Sequence, residues 1–333
     1  MWDDTPPMAS EKPRRPTIDD VAARAGVSSA AVSFAVNGRP GVGEETRRRI
    51  LAAAEELGWR PSASARALTE ARARAIGLLL ARSVDQLEVD PFFVRFLAGV
   101  ERTLAHSDHD LVLRVAERVE LGAYERLAAA GRVDGFLLCD VEVDDPRFAM
   151  LEAAGLPVVI AGHPVSPCPF PAVETEHAAG MRLVVEHLLA LGHQSIGFAG
   201  GPEHYEHVQA RLAVWRETLV AAGVEPGPVV HAPRLLDGVT AIVTTSDVLA
   251  TTLLAEARER GIEVPGALSL TGFDDSPLAA LGSPSLTSVR IDYAGFGASA
   301  AAQLLAAIAG EAPPPYEPAA PELVIRESTG PAA

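Results

Sequence analysis

The sequence predicts a mixed α/β protein, with an all-α head at the N-terminus followed by two doubly wound α/β lobes. Between residues 17 and 58, the chain has the pattern of three short amphipathic helices separated by turn residues. After Ala75, short apolar runs alternate with helical stretches in two successive series. This alternation is typical of parallel sheets that are covered by helices.

Charge separates the head from the rest of the chain at the same place. Between Lys12 and Arg74 there are 12 basic and 7 acidic residues, whereas 16 basic and 34 acidic residues follow Arg74. The net charge of -16 therefore hides a local excess of positive charge. A basic head on an acidic body predicts that the head alone binds a polyanion.

The first two helices of the head are predicted from their caps. Thr17 is the expected N-cap of the first helix, and Asp20 three residues later completes a capping box. Gly26 is expected to end this helix. The second helix is predicted from about Ser28 to Val36, because the Asn-Gly pair that follows is a stop and turn signal.

The third helix begins after Gly43, where Glu44 and Glu45 complement the positive end of the helix dipole. Gly58 is its predicted C-cap. Its predicted buried face consists of the apolar residues Ile50, Leu51, Ala54 and Leu57. A helix, a glycine turn and a second helix within a basic segment describe a helix-turn-helix DNA-binding domain, which we place at 15–60.

The head contains two successive segments, TIDDVAARAGVSSAAVSFAVNG and VGEETRRRILAAAEELGWRPSASARAL. In order and without a gap, they resemble the DNA-binding head of the lactose/galactose repressor (LacI/GalR) family. The resemblance implies that the second helix is the recognition helix, which lies in the major groove. The residues assigned to DNA binding are Thr17, Ser28, Ser29, Ala30, Ser33, Phe34, Asn37, Arg39, Thr46 and Leu68.

Phe34 departs from the family pattern, in which an arginine commonly pairs with guanine at this position. A phenylalanine has no donor, so the contact that remains open to it is an apolar one, such as a thymine methyl group. The alternative is that Phe34 packs into the small core of the head. Asn37, Arg39 and Thr46 are expected to contact phosphates rather than bases.

The segment 61–73 is predicted to form a hinge helix and linker, because ARAL favours a helix but has no apolar face for a core. In the resembling family, this helix enters the minor groove, and a leucine wedges between base pairs. Leu68 matches that leucine, although it could instead dock on the body. Residues 1–14 are expected to form a disordered tail.

The body, residues 74–328, contains two β-α series. The strand candidates are AIGLLLA, HDLVLRVA, DGFLLCD, LPVVIAG, SIGFAGG, AIVTTSD and LSLTGFDD. Helices are expected between them. We predict a first lobe at about 74–172 and 292–321, and a second lobe at about 173–291 and 322–328.

The body resembles the effector domain of the same family, which has the fold of periplasmic sugar-binding proteins. The resemblance includes EHLLALGHQSIGFAGG and the closing LVIREST. It implies a ligand cleft between the lobes, where polar groups at strand ends and aromatic rings hold a small molecule. The residues assigned to effector binding are Phe92, Phe93, Arg211, Ser246, Asp247 and Asp274.

Each of these residues also has a structural interpretation. Arg211 could cap a helix, Asp274 could cap the loop after its strand, and Phe92 and Phe93 could belong to the core. The chain also departs from the family in two places, since Gly162-His163 follows LPVV and the segment 174–177 reads ETEH.

A third departure concerns the connection between two strand candidates of the second lobe. Only residues 231–240 separate VV from AIVTT, whereas a parallel crossover needs about a dozen residues, usually with a helix. We therefore expect either that the second lobe lacks a strand or that its pocket is open on one side.

Other chemistry is not predicted. His106 with His109, and His204 with His207, have a spacing of three residues but no third metal ligand nearby. GFAGG is not a dinucleotide fingerprint, and no GxSxG element occurs. Cys139 and Cys168 are expected to be reduced and structural. We expect no cofactor, no metal and no enzymatic activity.

No apolar run is long enough to span a bilayer, and the N-terminus has no secretory signal, so we expect a cytoplasmic protein. The working hypothesis is a homodimeric, sequence-specific transcriptional regulator, expected to be a repressor. Its partners would be a palindromic double-stranded operator and a small-molecule effector such as a sugar. The alternative is a sugar-binding protein without a regulatory role on DNA.

Overall fold

The computed structural model describes residues 16–60, 72–83, 87–88, 90–164 and 167–332. The chain forms two compact units, and the boundary between them lies between Ala73 and Arg74. The predicted tail and most of the predicted hinge, including Leu68, lie outside the described residues.

Three helices form the head: α1 (Ile18–Ala25), α2 (Ser29–Val36) and α3 (Glu44–Glu56). The predicted capping box is present, because the Thr17 hydroxyl accepts from the Asp20 amide and the Asp20 carboxylate accepts from the Thr17 amide at 2.7 Å. Gly26 takes the left-handed conformation, with φ of 67°. The head is therefore a helix-turn-helix unit, as predicted.

The core of the head corrects one detail of the predicted third helix. Ile50 and Ala54 are buried, but Leu51 is 47% exposed and Ala53 takes its place in the core. A helix turns by about 100° per residue, so positions 50, 53, 54 and 57 lie on one face. Position 51 lies outside this face. The C-cap is Leu57, and Gly58 follows it with a φ of 63°.

A parallel sheet of five strands, ordered β2-β1-β3-β4-β5, forms the first lobe. Its strands are β1 (Ala75–Ala81), β2 (Asp110–Ala116), β3 (Gly135–Leu138), β4 (Val158–Ala161) and β5 (Ala172–Val173). Helices α4 (Pro91–Leu104), α5 (Leu121–Ala129) and α6 (Arg147–Ala154) connect them. Ile76 and Leu78 pack in a core with Phe96, whereas Leu79 packs in a different core with Leu151. Both faces of the sheet are therefore covered.

Four parallel strands, ordered β7-β6-β8-β9, form the sheet of the second lobe. They are β6 (Ile196–Ala199), β7 (Val229–Val230), β8 (Ala241–Thr244) and β9 (Ser269–Thr271). The helices of this part are α7 (His177–Ala190), α8 (Glu206–Ala221), α9 (Asp247–Glu259) and α10 (Pro277–Leu281). The two lobes confirm the predicted doubly wound α/β fold class.

The ten-residue connection 231–240 corrects the expectation of a missing strand. The chain crosses from β7 to β8, on opposite sides of β6, without a helix. Ten residues suffice because β7 has only two residues, so the chain moves back a short way along the sheet before β8 begins. Leu235 and Leu236 pack in the core here, and a Cβ on Gly197 would lie 2.6 Å from Leu236. These leucines cover the surface that a crossover helix would otherwise cover.

The last part of the chain returns to the first lobe and then to a short two-stranded sheet. Helix α11 (Tyr293–Ala309) packs on α4, β3 and β4, and β10 (Ser288–Arg290) pairs with β11 (Glu322–Val324). Gly99 and Gly297 let α4 and α11 approach closely. A Cβ on either glycine would lie 2.0 to 2.2 Å from a backbone oxygen of the other helix.

Candidate DNA-binding surface and effector cavity

At the start of α2, the helix expected to read bases, Ser28 and Ser29 already make hydrogen bonds within the head. The Ser28 hydroxyl caps the helix by accepting from the Ala31 amide at 3.2 Å. The Ser29 hydroxyl donates to the Asp19 carboxylate at 2.5 Å. Ala30 is exposed. Both hydroxyls keep acceptor capacity, so their bonds inside the head leave them able to accept from a base edge.

Phe34 lies at the surface of α2. Its side chain is 40% exposed and does not belong to the buried cluster of the head. It lies over Gly41, where an added Cβ would be 3.5 Å from the ring. The ring is therefore accessible for an apolar contact. The alternative, that Phe34 packs into the core of the head, is wrong.

The remaining head residues surround the end of α2. The Asn37 amide donates to Ser33 Oγ at 3.3 Å, and the Arg47 guanidinium donates to the Arg39 carbonyl at 3.2 Å. Arg39 is exposed, and Thr46 is half-buried in the first turn of α3. Thr17 is used in the capping box. Their assignment to DNA contacts stays a prediction.

A cavity of about 170 Å3 lies between the two lobes of the second unit. It forms at the carboxyl ends of strands from both sheets, where polar side chains from different strands converge. From the first lobe it is lined by Arg82, Asp90, Phe92, Asp140 and His163, among others. From the second lobe and the crossing segments it is lined by His177, Tyr205, Glu206, His207, Arg211, Ser246, Asp274 and Tyr293, among others.

Arg211 enters the cavity from α8 and is 6% exposed. Its guanidinium donates to the Thr245 carbonyl at 2.6 Å and to His177 Nδ1 at 3.0 Å. The guanidinium carbon also lies 4.0 Å from the centre of the Phe273 ring. These contacts fix the fork, and they make Arg211 a preorganised donor for a ligand hydroxyl or carboxylate.

Asp274 faces Arg211 across the same cavity. Its carboxylate accepts from the Tyr293 hydroxyl at 2.6 Å, and its φ is 107°, which is rare for a residue other than glycine. Burial raises the pKa of Asp274 well above its ordinary value, although Arg211 acts in the opposite direction. Burial therefore favours the protonated carboxyl group, which can both donate to and accept from a ligand hydroxyl.

Two predicted effector residues do not line the cavity. Phe93 is 2% exposed and packs in the core, whereas its neighbour Phe92 lines the cavity. Ser246 lines the cavity and caps α9, but Asp247 is fully buried and accepts from the Ser276 amide at 2.6 Å and from the Ser288 hydroxyl. Asp247 therefore braces the loop that carries Asp274.

An ion-pair cluster in the first lobe was missed by the sequence reasoning. Arg82 donates to both carboxylate oxygens of Asp140 at 2.6 Å and to Asp90 at 3.0 Å. Burial alone would raise the pKa of Asp140, but the Arg82 guanidinium outweighs it and the pKa is lowered. Burial raises the pKa of Asp90 despite Arg82. The signal in the sequence was a charged residue at the end of each strand, with Arg82 directly after β1 and Asp140 two residues after β3.

Asp140 is positioned by a second buried pair behind it. Arg147 is fully buried, pairs with Asp145, and donates to the carbonyls of Cys139 and Asp140 at 3.2 and 2.9 Å. Tyr205, from the second lobe, lies over the other side of the cluster, with its ring centre 5.3 Å from the Arg82 guanidinium carbon. The Arg82 cluster therefore forms one wall between the lobes.

Two histidines of the cavity are held neutral. Burial and then Arg211 lower the pKa of His207 to about 3, and the same causes lower the pKa of His177 well below its ordinary value. Since His177 Nδ1 accepts from Arg211, its ring proton lies on Nε2. Across the described part of the chain, no group of three or more His, Cys, Asp or Glu side chains is placed to hold a metal ion.

Residues 17–62 match the family described as bacterial regulatory proteins, lacI family, and residues 185–329 match the periplasmic binding protein-like domain. The HTH-type transcriptional regulator MalR of Streptomyces coelicolor is 34% identical over 339 residues, which cover 94% of this chain and 96% of MalR. The HTH-type transcriptional regulator CelR of Thermobifida fusca is 32% identical over 341 residues, which cover 96% and 99%.

Solved structures show the same relationship. A complex of the transcriptional regulator CelR with cellobiose has a TM-score of 0.69 and 30% identity, over 94% of this chain and all of that one. The lac repressor dimer bound to operator and the anti-inducer ONPF has a TM-score of 0.80 and 26% identity, over 95% of this chain and all of that one. The chain therefore belongs to the lacI family of transcriptional regulators, with a helix-turn-helix DNA-binding head and a periplasmic-binding-protein-like effector domain.

Proposed function

We propose that this regulator binds a palindromic operator as a homodimer and is released from it when a saccharide fills the cavity between its lobes. The observation that carries the effector proposal is the convergence of Arg211, Asp274 and the aromatic rings of Phe92 and Tyr293 on one cavity. Guanidinium and carboxyl groups beside aromatic rings provide donors, acceptors and apolar faces, which a sugar ring needs.

The cavity has a volume of about 170 Å3 and is partly open to solvent, so its volume sets no upper limit on the length of the sugar. At the Arg82 wall the charges favour a neutral ligand group over a phosphate, because Asp140 and Asp90 already neutralise this guanidinium. Arg211 is left to donate to a ligand hydroxyl. The relative CelR was solved with cellobiose, which adds the disaccharides to the candidates.

The proposal gives the chain no catalytic role. Its function is to couple ligand binding to DNA affinity, which the relatives named as transcriptional regulators also support. None of the described helices is long and apolar enough to cross a membrane. Binding to chromosomal DNA would place the protein in the cytoplasm.

The first test identifies the operator. Full-length protein is used to select binding sequences from a random duplex library, and the winners are measured by gel shift against scrambled duplexes. We expect an inverted repeat and an affinity at least about a thousand-fold above that for scrambled DNA at moderate salt. Equal binding to all duplexes would overturn specific regulation.

The second test identifies the effector. Glucose, maltose, cellobiose and glucose 6-phosphate are screened by thermal shift on full-length protein, because a ligand that binds only the folded state raises its stability. The matched variants are Arg211→Met in the cavity and Arg258→Met on the exposed surface of α9. We expect a neutral sugar to stabilise the wild type and Arg258→Met but not Arg211→Met, and to release operator DNA. Equal shifts in all three proteins would contradict the assigned cavity.

A further inference from the structure

Arg95 connects the two lobes beside the cavity. It lies on α4 of the first lobe, one helical turn after the cavity residue Phe92. Its guanidinium donates to the carbonyl oxygens of Asp274 and Asp275 at 3.0 and 2.9 Å. Both acceptors belong to the segment that follows β9 of the second lobe. One planar fork therefore holds two successive peptide groups across the lobe boundary.

The two peptide groups that Arg95 holds have an unusual backbone. Asp274 and Asp275 have φ angles of 107° and 45°, and both side chains are buried. Such conformations cost energy in residues other than glycine and persist where the surroundings fix them. Asp275 is fixed from its own lobe by ion pairs with Arg290 and Arg326 at 2.7 and 2.6 Å. From the first lobe, Arg95 holds the backbone of this segment, and the Tyr293 hydroxyl of α11 donates to the Asp274 side chain.

The same short segment presents a carboxyl group to the cavity. Asp274 turns its carboxylate toward Tyr293 and Arg211, while its carbonyl accepts from Arg95. A ligand that hydrogen-bonds to the Asp274 carboxyl group therefore contacts the same residue whose carbonyl accepts from Arg95. Because guanidinium hydrogen bonds to carbonyls are charge-assisted and directional, a rotation of this peptide weakens them.

We propose that Arg95 is a positioning residue that holds the lobes closed through the peptide groups of Asp274 and Asp275, and so links the state of the cavity to lobe closure. The link to the cavity rests on the proposed effector function, whereas the closing role of Arg95 does not. The two hydrogen bonds exist in the closed state and are lost in the open state. They therefore lower the free energy of the closed state relative to the open state.

Hydrogen exchange of two backbone amides, both far from Arg95 in the sequence, can report lobe closure without any ligand. The Glu206 amide donates to the Val141 carbonyl at 3.1 Å, and the Val143 amide donates to the His204 carbonyl at 3.3 Å. Both bonds join the loop after β3 to the loop after β6, and both break when the lobes separate. Hydrogen exchange of these amides therefore reports opening.

The test compares full-length wild type with Arg95→Met, Arg95→Lys and the control Arg102→Met, which removes an exposed arginine seven residues further along α4. We expect Arg95→Met to speed exchange of the Glu206 and Val143 amides by about ten-fold or more, because two charge-assisted bonds to the closed state are lost. Arg95→Lys, which can reach one carbonyl, should have an intermediate effect, and Arg102→Met none.

Amides of the buried strand β3 distinguish lobe opening from a general loss of stability. Amides of β3 exchange through global unfolding, so their rates rise steeply with urea, whereas lobe opening exposes little surface and its exchange rates change little with urea. We expect the two reporter amides in Arg95→Met to exchange faster than β3 and with little dependence on urea. Wild-type exchange at both reporter amides, or reporter exchange that follows β3 at every urea concentration, would overturn the proposed role of Arg95.

A double-mutant cycle tests whether Arg95 and the cavity carboxyl group act through one peptide. Tyr293→Phe removes the hydroxyl that donates to Asp274. In the double variant, we expect the acceleration of reporter-amide exchange to be smaller than the product of the accelerations in the two single variants. Both substitutions release the same segment, so their effects overlap. Purely multiplicative effects would refute the link between Arg95 and Asp274. Since no sugar or operator enters these measurements, their outcome is independent of the proposed function.

Discussion

The guanidinium of Arg82 is held by both carboxylate oxygens of Asp140, each at 2.6 Å. The two side chains are 15% and 6% exposed, and each follows a different strand of the first sheet. This pair is a fixed part of the wall between the lobes, so its removal should affect the fold as well as the cavity.

Arg82→Met should lower the free energy of unfolding of the effector domain by about 3–5 kcal/mol, because it leaves the buried Asp140 carboxylate without its partner. Urea unfolding of the full-length protein measures this loss. The control is Arg114→Met, which breaks an exposed pair with Glu120 and should cost less than about 1 kcal/mol. Equal losses in the two variants would show that the Arg82 pair contributes no more than a surface pair.

Phe34→Arg should change the base preference of the head without a loss of stability. The ring is 40% exposed and outside the buried cluster, and arginine can donate to guanine in the major groove. Selection from random duplexes should give a guanine at one new position of each half-site. A sequence preference identical to that of the wild type would mean that position 34 does not contact a base.

The buried histidines predict acid sensitivity of the body. The pKa of His207 is about 3 in the folded protein and about 6.5 when unfolded, so below pH 6.5 the unfolded state binds the additional proton. Stability is therefore fully present above pH 6.5 and falls as the pH is lowered, by about 2 kcal/mol at pH 5 for His207. His177, whose pKa is also lowered, acts in the same direction.

Thermal unfolding between pH 7.5 and 5 checks this dependence. His207→Gln should flatten the curve, because glutamine does not titrate. His106→Gln, which replaces an exposed histidine, should leave the slope as in the wild type. An unchanged slope in His207→Gln would assign the acid sensitivity to other groups.

Leu281→Asp should weaken the homodimer. Leu278 and Leu281 on α10 are 40% and 81% exposed, and Val94 on α4 is 69% exposed. Arg95 ties α4 to the segment just before α10, so these three apolar side chains come from neighbouring elements. Exposed apolar side chains on neighbouring elements are typical of protein interfaces, so we predict that they belong to the dimer interface.

Sedimentation of the full-length protein measures the change. We expect a dimer for the wild type and for the control Val220→Asp, which replaces a 61% exposed residue on α8. Leu281→Asp should shift the protein toward the monomer and weaken operator binding. A stable dimer in this variant would place the interface elsewhere.

By itself the sequence predicted the family and most of the elements, but not the short strands β5, β10 and β11. The capping box of Thr17 and Asp20 is a local interaction between residues three apart, so it could be predicted from spacing alone. The alternation of apolar runs and helices determined the doubly wound lobes for a similar reason. Arg211 and Asp274 were found because each lies in a segment that resembles the family.

Only the tertiary structure decided which side chains meet. Arg82 and Asp140 are 58 residues apart, and Arg95 and Asp274 are 179 apart, so no periodicity or spacing pairs them. The two-residue strand β7 and its ten-residue connection were misjudged because the distance a crossover must span depends on where the strands align. Long-range contacts are set by how the sheets pack, and that packing is a property of the whole chain.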